Sequence, residues 1–445
     1  MIKKSIIGIL ARIRKSSFEK ELFEIKNVNG AEGLKLFQEK YLKKIIFHAY
    51  KNTPYHRSIF EKIGVIVDNQ INLVKFNEIP ILTKETIRDN FDKLISEDLS
   101  QRKWFYNSSG GSTGTPLRLI QDDSRNKWGS ATSRYYYRDI IGIDEISAKK
   151  IILWGSERDI IEGSVGLKAK VKNWLENTVF LNSFKITEND MGRYIKIINI
   201  FKPDFIKGYT SSLYELCRYI EKNKIKMHRP KFVVSGAETL SDEKKVKIEK
   251  IFNAKLYDFY GSRETSCLAG QCKFGFMHIL MFNNYVEILN KDNQPVEEGE
   301  EGRVVVTCLH NYAMPLIRYE IGDTAILGTE KCRCGNFLPT LKKITGRITD
   351  NFIKKDGTIV HGEYFTHLFY LKDWVKTFQV IQEDYEKIKI LMVLNGEKNN
   401  NEKEDIENKI KLVMGIKCNI KWELVKNASE IGEKHLYTKS KIINK

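Results

Sequence analysis

Apolar positions recur along this chain at two spacings, and the change of spacing divides it. Over residues 1–95 they fall mostly at helical intervals. Phe37–Ala49 is the clearest case, and a proline within Asn52–Tyr55 ends it. Pro80–Lys84 opens another helix, with Thr83 as N-cap and Ile87 on its apolar side. Residues 122–143 return to helical spacing, with Ser124 as the expected cap and Tyr135, Tyr136 and Tyr137 together. Leu167–Phe180 and Glu188–Phe201 also read as helices, the second stopping before Pro203.

Short apolar runs of strand length alternate with helices across residues 204–262. Phe205–Lys207, Phe232–Val234 and Lys255–Phe259 are the strands; Ser211–Glu221 and Asp242–Ile251 are the helices between them. With Ile151–Trp154 before them, they predict a layered α/β domain. In such sheets ligands sit beyond the carboxyl ends of the strands. Residues 276–330 read as antiparallel, with strands at Tyr285–Leu289, Gly302–Val306 and Ala325–Leu327. From residue 351 the pattern is a smaller α+β unit: strands Phe378–Gln382, Ile388–Val393 and Ile420–Glu423 around a helix at Asp405–Val413.

One stretch breaks every pattern. Ser108, Ser109, Gly110, Gly111, Ser112, Thr113, Gly114 and Thr115 lie between two expected strands, and Pro116 follows. Two readings fit: a tight turn, or a phosphate clamp. Glycines let backbone N–H groups converge on an anion, and hydroxyls add donors. Five hydroxyl residues favour the clamp. It is neither the P-loop, which ends in Gly-Lys-Ser/Thr and enters a helix, nor the dinucleotide fingerprint.

The chain has 445 residues, enough for two or three domains, and 42% of them are hydrophobic. Its net charge of +17 comes mostly from lysines spread along its length, without zinc-finger spacing or an aromatic–basic RNA motif. A nucleic-acid partner is therefore not expected; a diffuse positive field still favours anionic ligands such as ATP. Seven cysteines are too few for a disulfide framework, and the odd number points to a reducing, cytoplasmic setting. No apolar run is long enough to span a bilayer. Residues 1–16 have the basic and apolar composition of a helix that packs on its own domain or touches an anionic membrane surface.

Further along are segments with chemistry. Tyr260, Gly261 and Glu264 follow a strand: an aromatic to stack on a base and a carboxylate suited to magnesium. Gly236, Ala237 and Glu238 form a short loop, Asp323 ends Arg318-Tyr319-Glu320-Ile321-Gly322-Asp323, and Gly346-Arg347 precedes the smaller unit. Lys434 lies in Gly432-Glu433-Lys434-His435-Leu436-Tyr437. Taken in chain order from the Ser/Thr/Gly stretch to Lys434, these segments resemble the adenylate-forming enzymes. With Asn311–Tyr319 (NYAMPLIRY) and the cysteine pairs, they resemble the subfamily of phenylacetate–CoA ligases and capsular-polysaccharide adenylating proteins over nearly the whole chain.

That resemblance implies an α/β fold: a large layered N-terminal adenylation domain at 1–346, with a helical lead-in at 1–95 and a zinc-type insertion within 262–340. A small mobile α+β lid at 347–445 follows, hinged near 346–351. It implies that a carboxylate attacks the α-phosphate of Mg·ATP, pyrophosphate leaves, and the acyl-adenylate passes to a thiol such as coenzyme A or to an amine. Ser109, Gly110, Gly111, Ser112, Thr113, Gly114 and Thr115 would clamp phosphates. Gly236, Ala237, Glu238, Tyr260 and Gly261 would face adenine, Asp323 the ribose and Arg347 the phosphate. Glu264 would hold magnesium, with Lys434 and Thr113 as catalytic partners. Relatives are often homodimers. Departures stand out: Arg263 where threonine is common, Thr349 in the hinge, and Glu433 beside the lysine. The last two motivate a rival class, a non-catalytic nucleotide-binding scaffold. The acyl pocket is expected from Tyr135–Arg138, Trp154–Gly155 and Gly208–Ser212. Tyr136, Tyr137 and Trp154 would suit an aromatic acid; Arg138, Arg158 and Arg263 would suit a polar one, which Arg263 favours.

Cys267, Cys272 and His278 form one cluster, and Cys332 and Cys334 a second. Thiolates and an imidazole in two clusters suit a closed, structural zinc site. The best four ligands are Cys272, His278, Cys332 and Cys334, with Cys267 able to replace one. Cys217, Cys308 and Cys418 read as small buried residues.

Overall fold

In the computed structural model, residues 17–108, 117–155, 176–328, 332–345, 351–369, 372, 374–426 and 438–442 are described. They form two compact units. The first takes the described parts of Met1–Asn107, Leu117–Glu145 and Tyr257–Gly346; the second takes those of Ser108–Pro116, Ile146–Leu256 and Arg347–Lys445.

The first unit begins with helices Glu19–Lys26, Gly30–Asn52 and Pro54–Ile63. Gly30–Asn52 buries Leu34, Phe37, Tyr41, Leu42, Ile45, Ile46 and Ala49, the i, i+3, i+4, i+7 stripe of an amphipathic helix. Phe37 meets Trp128 and Phe282 edge-on, at 5.6 and 5.9 Å between centroids. Thr83 caps the helix Lys84–Asp89, its side chain accepting from the Thr86 N–H, as expected. The antiparallel part of this unit runs in the neighbour order Asn284–Leu289, Glu301–Cys308, Tyr319–Leu327, Thr340–Thr345, Met277–Ile279, Ser266–Gln271, Lys255–Ser262. Strand Tyr319–Leu327 is longer than its sequence suggested, because Gly322 and Asp323 sit within it rather than ending it.

Two local expectations change here. Asp122, not Ser124, caps the helix Asp123–Tyr135, its carboxylate accepting from the Arg125 N–H at 3.1 Å. A carboxylate at the N-cap meets both the orphan N–H groups and the helix dipole. The three tyrosines straddle a change of winding, since Tyr136–Ile141 is a π-helical turn that Gly142 closes at φ +92°.

In the second unit, four parallel strands stand in the order Thr178–Asn182, Lys150–Trp154, Phe205–Tyr209, Phe232–Gly236. The end of the expected helix Leu167–Phe180 is strand instead, since Thr178–Asn182 pairs residue by residue with Lys150–Trp154; residues 167–175 lie outside the described residues. Helices Glu188–Phe201, Thr210–Lys222 and Asp242–Phe252 carry the return connections. Thr187 and Asp190 close a capping box on the first. The C-terminal part pairs Val375–Asp384 with Lys387–Leu394, flanked by Asn419–Leu424 and Thr438–Ser440, with helix Asn400–Met414 alongside. Strand Ile359–Val360 pairs with Lys185–Ile186, and Phe184 enters the same buried cluster as Phe352, Tyr364, Phe365 and Phe378. This cluster joins the C-terminal segment to the parallel layer.

Candidate functional site

In the first unit the strand Tyr319–Leu327 organises two of the acidic candidates. Tyr260 donates its hydroxyl to Asp323 Oδ2 at 2.7 Å, and Tyr319 donates to Glu264 Oε1 at 3.5 Å. One strand therefore holds, four residues apart, the partners of two residues that are themselves four apart. Glu264 is 1% exposed, and its second oxygen, Oε2, has no hydrogen-bond partner among the described residues. A buried carboxylate oxygen left bare costs desolvation energy, so the position fits a cation.

The turn carrying Glu264 is fixed through its backbone. The carbonyl of Arg263 accepts from Asn107 Nδ2, Gln121 Nε2 and Arg125 Nη2, at 3.2, 3.0 and 2.6 Å. The Glu264 carbonyl accepts from Gln121 Nε2 at 3.0 Å. Gly261 precedes the turn where the strands close up: a Cβ there would lie 2.3 Å from the Ser266 carbonyl oxygen. Burial lowers the affinity of the Arg125 guanidinium for its proton, offset by nearby groups that include Glu264.

The NYAMPLIRY segment is structural at both ends. Asp122 Oδ2 accepts from the N–H groups of Tyr312 and Ala313, at 2.9 and 3.0 Å, while Asn311 bridges Ile120 and Met314. Burial nevertheless raises the Asp122 carboxyl above its ordinary range, against those hydrogen bonds. Arg318 is buried at φ +52°, donates to Glu287 at 3.1 and 3.3 Å, and reaches the carbonyls of Asn77 and Ile79. Its bidentate grip locks the entry to the Asp323 strand.

Cys272, His278, Cys332 and Cys334 converge, all four ligand atoms lying within 4.8 Å of one another. Cys272 Sγ is 3.4 Å from Cys332 Sγ, and Cys334 Sγ is 3.3 Å from His278 Nε2. His278 Nδ1 contacts the Leu338 carbonyl at 3.2 Å, which fixes Nε2 as the ligating nitrogen. Backbone N–H groups of Phe274, Cys334 and Asn336 point at the three sulfurs, each at 3.4 Å. Burial opposes ionisation of Cys272, but hydrogen bonds from His278 and Phe274 bring its thiol down to about 6. Three sulfurs and one imidazole in this packing fit a tetrahedral zinc site. Cys267 is elsewhere: its sulfur faces the Gly129 carbonyl and Asn283 Oδ1, at 3.6 and 3.8 Å. The loop that carries Cys332 and Cys334 is tied back by Asn336, which donates to the Tyr135 hydroxyl at 2.8 Å.

In the second unit, Gly236 ends a buried strand and Ala237 takes a left-handed φ of +66°. Glu238 then turns inward. Its carboxylate accepts from the Ser211 N–H at 2.6 Å, the Ser211 hydroxyl at 2.9 Å and His361 Nε2 at 2.7 Å. Burial would raise its pKa, but the charge and hydrogen bond of His361 and the donors of Ser211 hold it below the ordinary carboxylate range. His361 stacks on Tyr209 at 4.4 Å, and Tyr209 stacks on Trp154 at 4.2 Å.

Residues 352–439 match the CapK C-terminal domain family. Protein CapK of Staphylococcus aureus is 25% identical over 90% of this chain and 88% of its own length. A phenylacetate-coenzyme A ligase of Thermus thermophilus is 23% identical over 79% of this chain and 78% of its own. The chain is a relative of CapK and of the phenylacetate–coenzyme A ligases. Its fold is that of the adenylate-forming CoA ligases. The crystal structure of 2-hydroxyisobutyryl-CoA ligase with 2-HIB-AMP and CoA superposes with a TM-score of 0.61 at 18% identity, covering 93% of this chain and 91% of that one.

Of the candidates, Tyr260, Gly261, Glu264 and Asp323 come together in the first unit, and Gly236, Ala237 and Glu238 lie in the second. Ser109–Thr115, Arg347 and Lys434 lie outside the described residues, as do residues 346–350 of the expected hinge at 346–351, Arg158 and residues 1–16. The aromatic reading of the acyl pocket changes. Tyr136 is fully buried and Tyr137 is 3% exposed, both against Phe259, and a Cβ on Gly270 would strike the Tyr136 ring. They are core. Trp154 spends one face on Tyr209. Sequence reading missed Arg125 and His361, because a lone arginine or histidine carries no signal until the fold gives it a partner.

Proposed function

We propose that this chain is an AMP-forming carboxylate ligase. A carboxylate oxygen of the substrate attacks the α-phosphorus of ATP, the bond to the bridging oxygen breaks, and pyrophosphate leaves. The acyl-adenylate is then attacked at its carbonyl by the sulfur of coenzyme A, which loses its proton as AMP departs. The observation that carries this reading is the pair of ties on one strand, Tyr260 to Asp323 and Tyr319 to Glu264. They present a hydroxyl-accepting carboxylate and a buried carboxylate with a bare oxygen, as a ribose and a magnesium-bound phosphate require. The curated relatives and the shared fold support it.

Asp323 orients the ribose, Tyr260 fixes Asp323, and Glu264 is the magnesium ligand. Bound magnesium would neutralise phosphate charge that develops as pyrophosphate leaves. Thr113 with its flanking loop and Lys434 complete the reading as clamp and catalytic cation. Cys272, His278, Cys332 and Cys334 hold a structural zinc that staples the hairpin after Glu264 to the loop before strand Thr340–Thr345. An amine acceptor in surface-polysaccharide synthesis is the second reading, favoured by the likeness to CapK.

ATP–pyrophosphate exchange over a panel of aromatic, hydroxy and polar carboxylic acids tests the first half-reaction. Acid-dependent exchange is expected. No exchange with any acid, together with no ATP binding, would return the chain to the scaffold class. Coenzyme A and amino sugars are then offered to the competent acid, and AMP release is followed.

A further inference from the structure

We propose that His361 is a positioning residue for nucleotide binding, and that Glu238 anchors the loop Gly236–Glu238 instead of serving as an adenine ligand. This deepens the adenylating reading and rests on it. The Glu238 carboxylate is spoken for by three donors, two of them on Ser211 in the first turn of helix Thr210–Lys222. It satisfies an N–H that the helix itself leaves unpaired. What the loop has left to present is its backbone. That backbone is bent, with Ala237 at φ +66°, a conformation a non-glycine residue holds only under outside constraint.

His361 supplies that constraint, and its own place is fixed. Its backbone N–H donates to the Phe184 carbonyl at 2.8 Å, its ring lies on Tyr209, and it follows strand Ile359–Val360, which pairs with Lys185–Ile186. Ring and carboxylate are both almost fully buried, 2% and 9% exposed at the side chain. The shape of the loop therefore depends on the seating of a strand from the C-terminal segment. Coupling of this kind is reciprocal: whatever binds the ordered loop favours the seated strand.

The test measures ATP and AMP binding calorimetrically for the wild type, His361→Ala, His361→Gln and Ser211→Ala, with KM for ATP and kcat in acid-dependent exchange. His361→Ala is expected to weaken nucleotide binding ~10-fold or more, with KM rising more than kcat falls. His361→Gln, whose amide still donates to Glu238, recovers most of the loss. Ser211→Ala weakens binding ~3-fold or more. A folded His361→Ala protein that binds nucleotide within twofold of wild type overturns the inference and leaves the adenylating reading standing. A wild type that binds no nucleotide removes both. Should the alanine variant not fold, Ser211→Ala decides: unchanged affinity overturns the proposal.

Discussion

The Tyr260 hydroxyl donates to Asp323 Oδ2 at 2.7 Å, joining the two motifs expected to hold the base and the ribose. A hydrogen bond to a carboxylate is worth about 1.5–3 kcal/mol. Tyr260→Phe keeps the ring and removes the bond, so Asp323 loses one contact that orients it. The expected outcome is a KM for ATP about tenfold or more higher, with kcat changed far less. Steady-state exchange kinetics over an ATP series check it, and an unchanged KM would falsify the ribose assignment.

Glu264→Gln is nearly isosteric and still accepts from Tyr319. The amide keeps the side chain's shape but removes the negative charge beside the bare Oε2, so the variant should fold and bind magnesium more weakly. An exchange rate at least ~100-fold lower at fixed magnesium, only partly recovered at high magnesium, is expected. Equal activity at equal magnesium would move the cation elsewhere.

The cysteine cluster predicts about one zinc per chain in protein purified under reducing conditions. Cys332→Ser and Cys334→Ser should each lower the zinc content and the Tm. Cys267→Ala should leave the zinc content untouched, since its sulfur faces Gly129 and Asn283. Metal analysis by mass spectrometry decides between the two sets.

Arg318 and Glu287 are 1% and 7% exposed and face each other at 3.1 Å. Arg318→Met would strand the Glu287 carboxylate and abandon the carbonyls of Asn77 and Ile79. Removing one member of such a pair costs about 3–5 kcal/mol. Urea unfolding of the variant should show that loss, and a loss below about 1 kcal/mol would contradict the burial argument.

His56 and His310 are fully buried, and burial pushes each down to about 3. His310 stacks on Trp128 at 3.9 Å, with Nε2 at 3.0 Å from the Phe282 carbonyl. Both stay neutral in the fold and charge in the unfolded chain below about pH 6.5. The unfolded state then binds more protons, so stability falls as pH drops from about 6.5 toward 3. Each contributes up to about 1.4 kcal/mol per pH unit. Unfolding curves between pH 7 and about 5.5, above the range of ordinary carboxylates, should show this slope, and His310→Phe should reduce it.

The chain's periodicities were enough for its two kinds of layer, for the amphipathic stripe of Gly30–Asn52 and for the Thr83 cap, because those depend on neighbours three or four residues away. The segment around Tyr260–Glu264 was legible for the same reason: an aromatic, a glycine and an acid lie within one short stretch of sequence. What sequence could not contain was which distant groups meet. The spacing already put Cys272, His278, Cys332 and Cys334 forward together; only packing closed them up and turned Cys267 away. Only packing sealed Tyr136 and Tyr137 into the core beneath Gly270, and set His361 against a carboxylate 123 residues earlier. Local interactions write themselves into spacing; a buried charge or thiol acquires its role from whatever the fold places within about 3–4 Å of it.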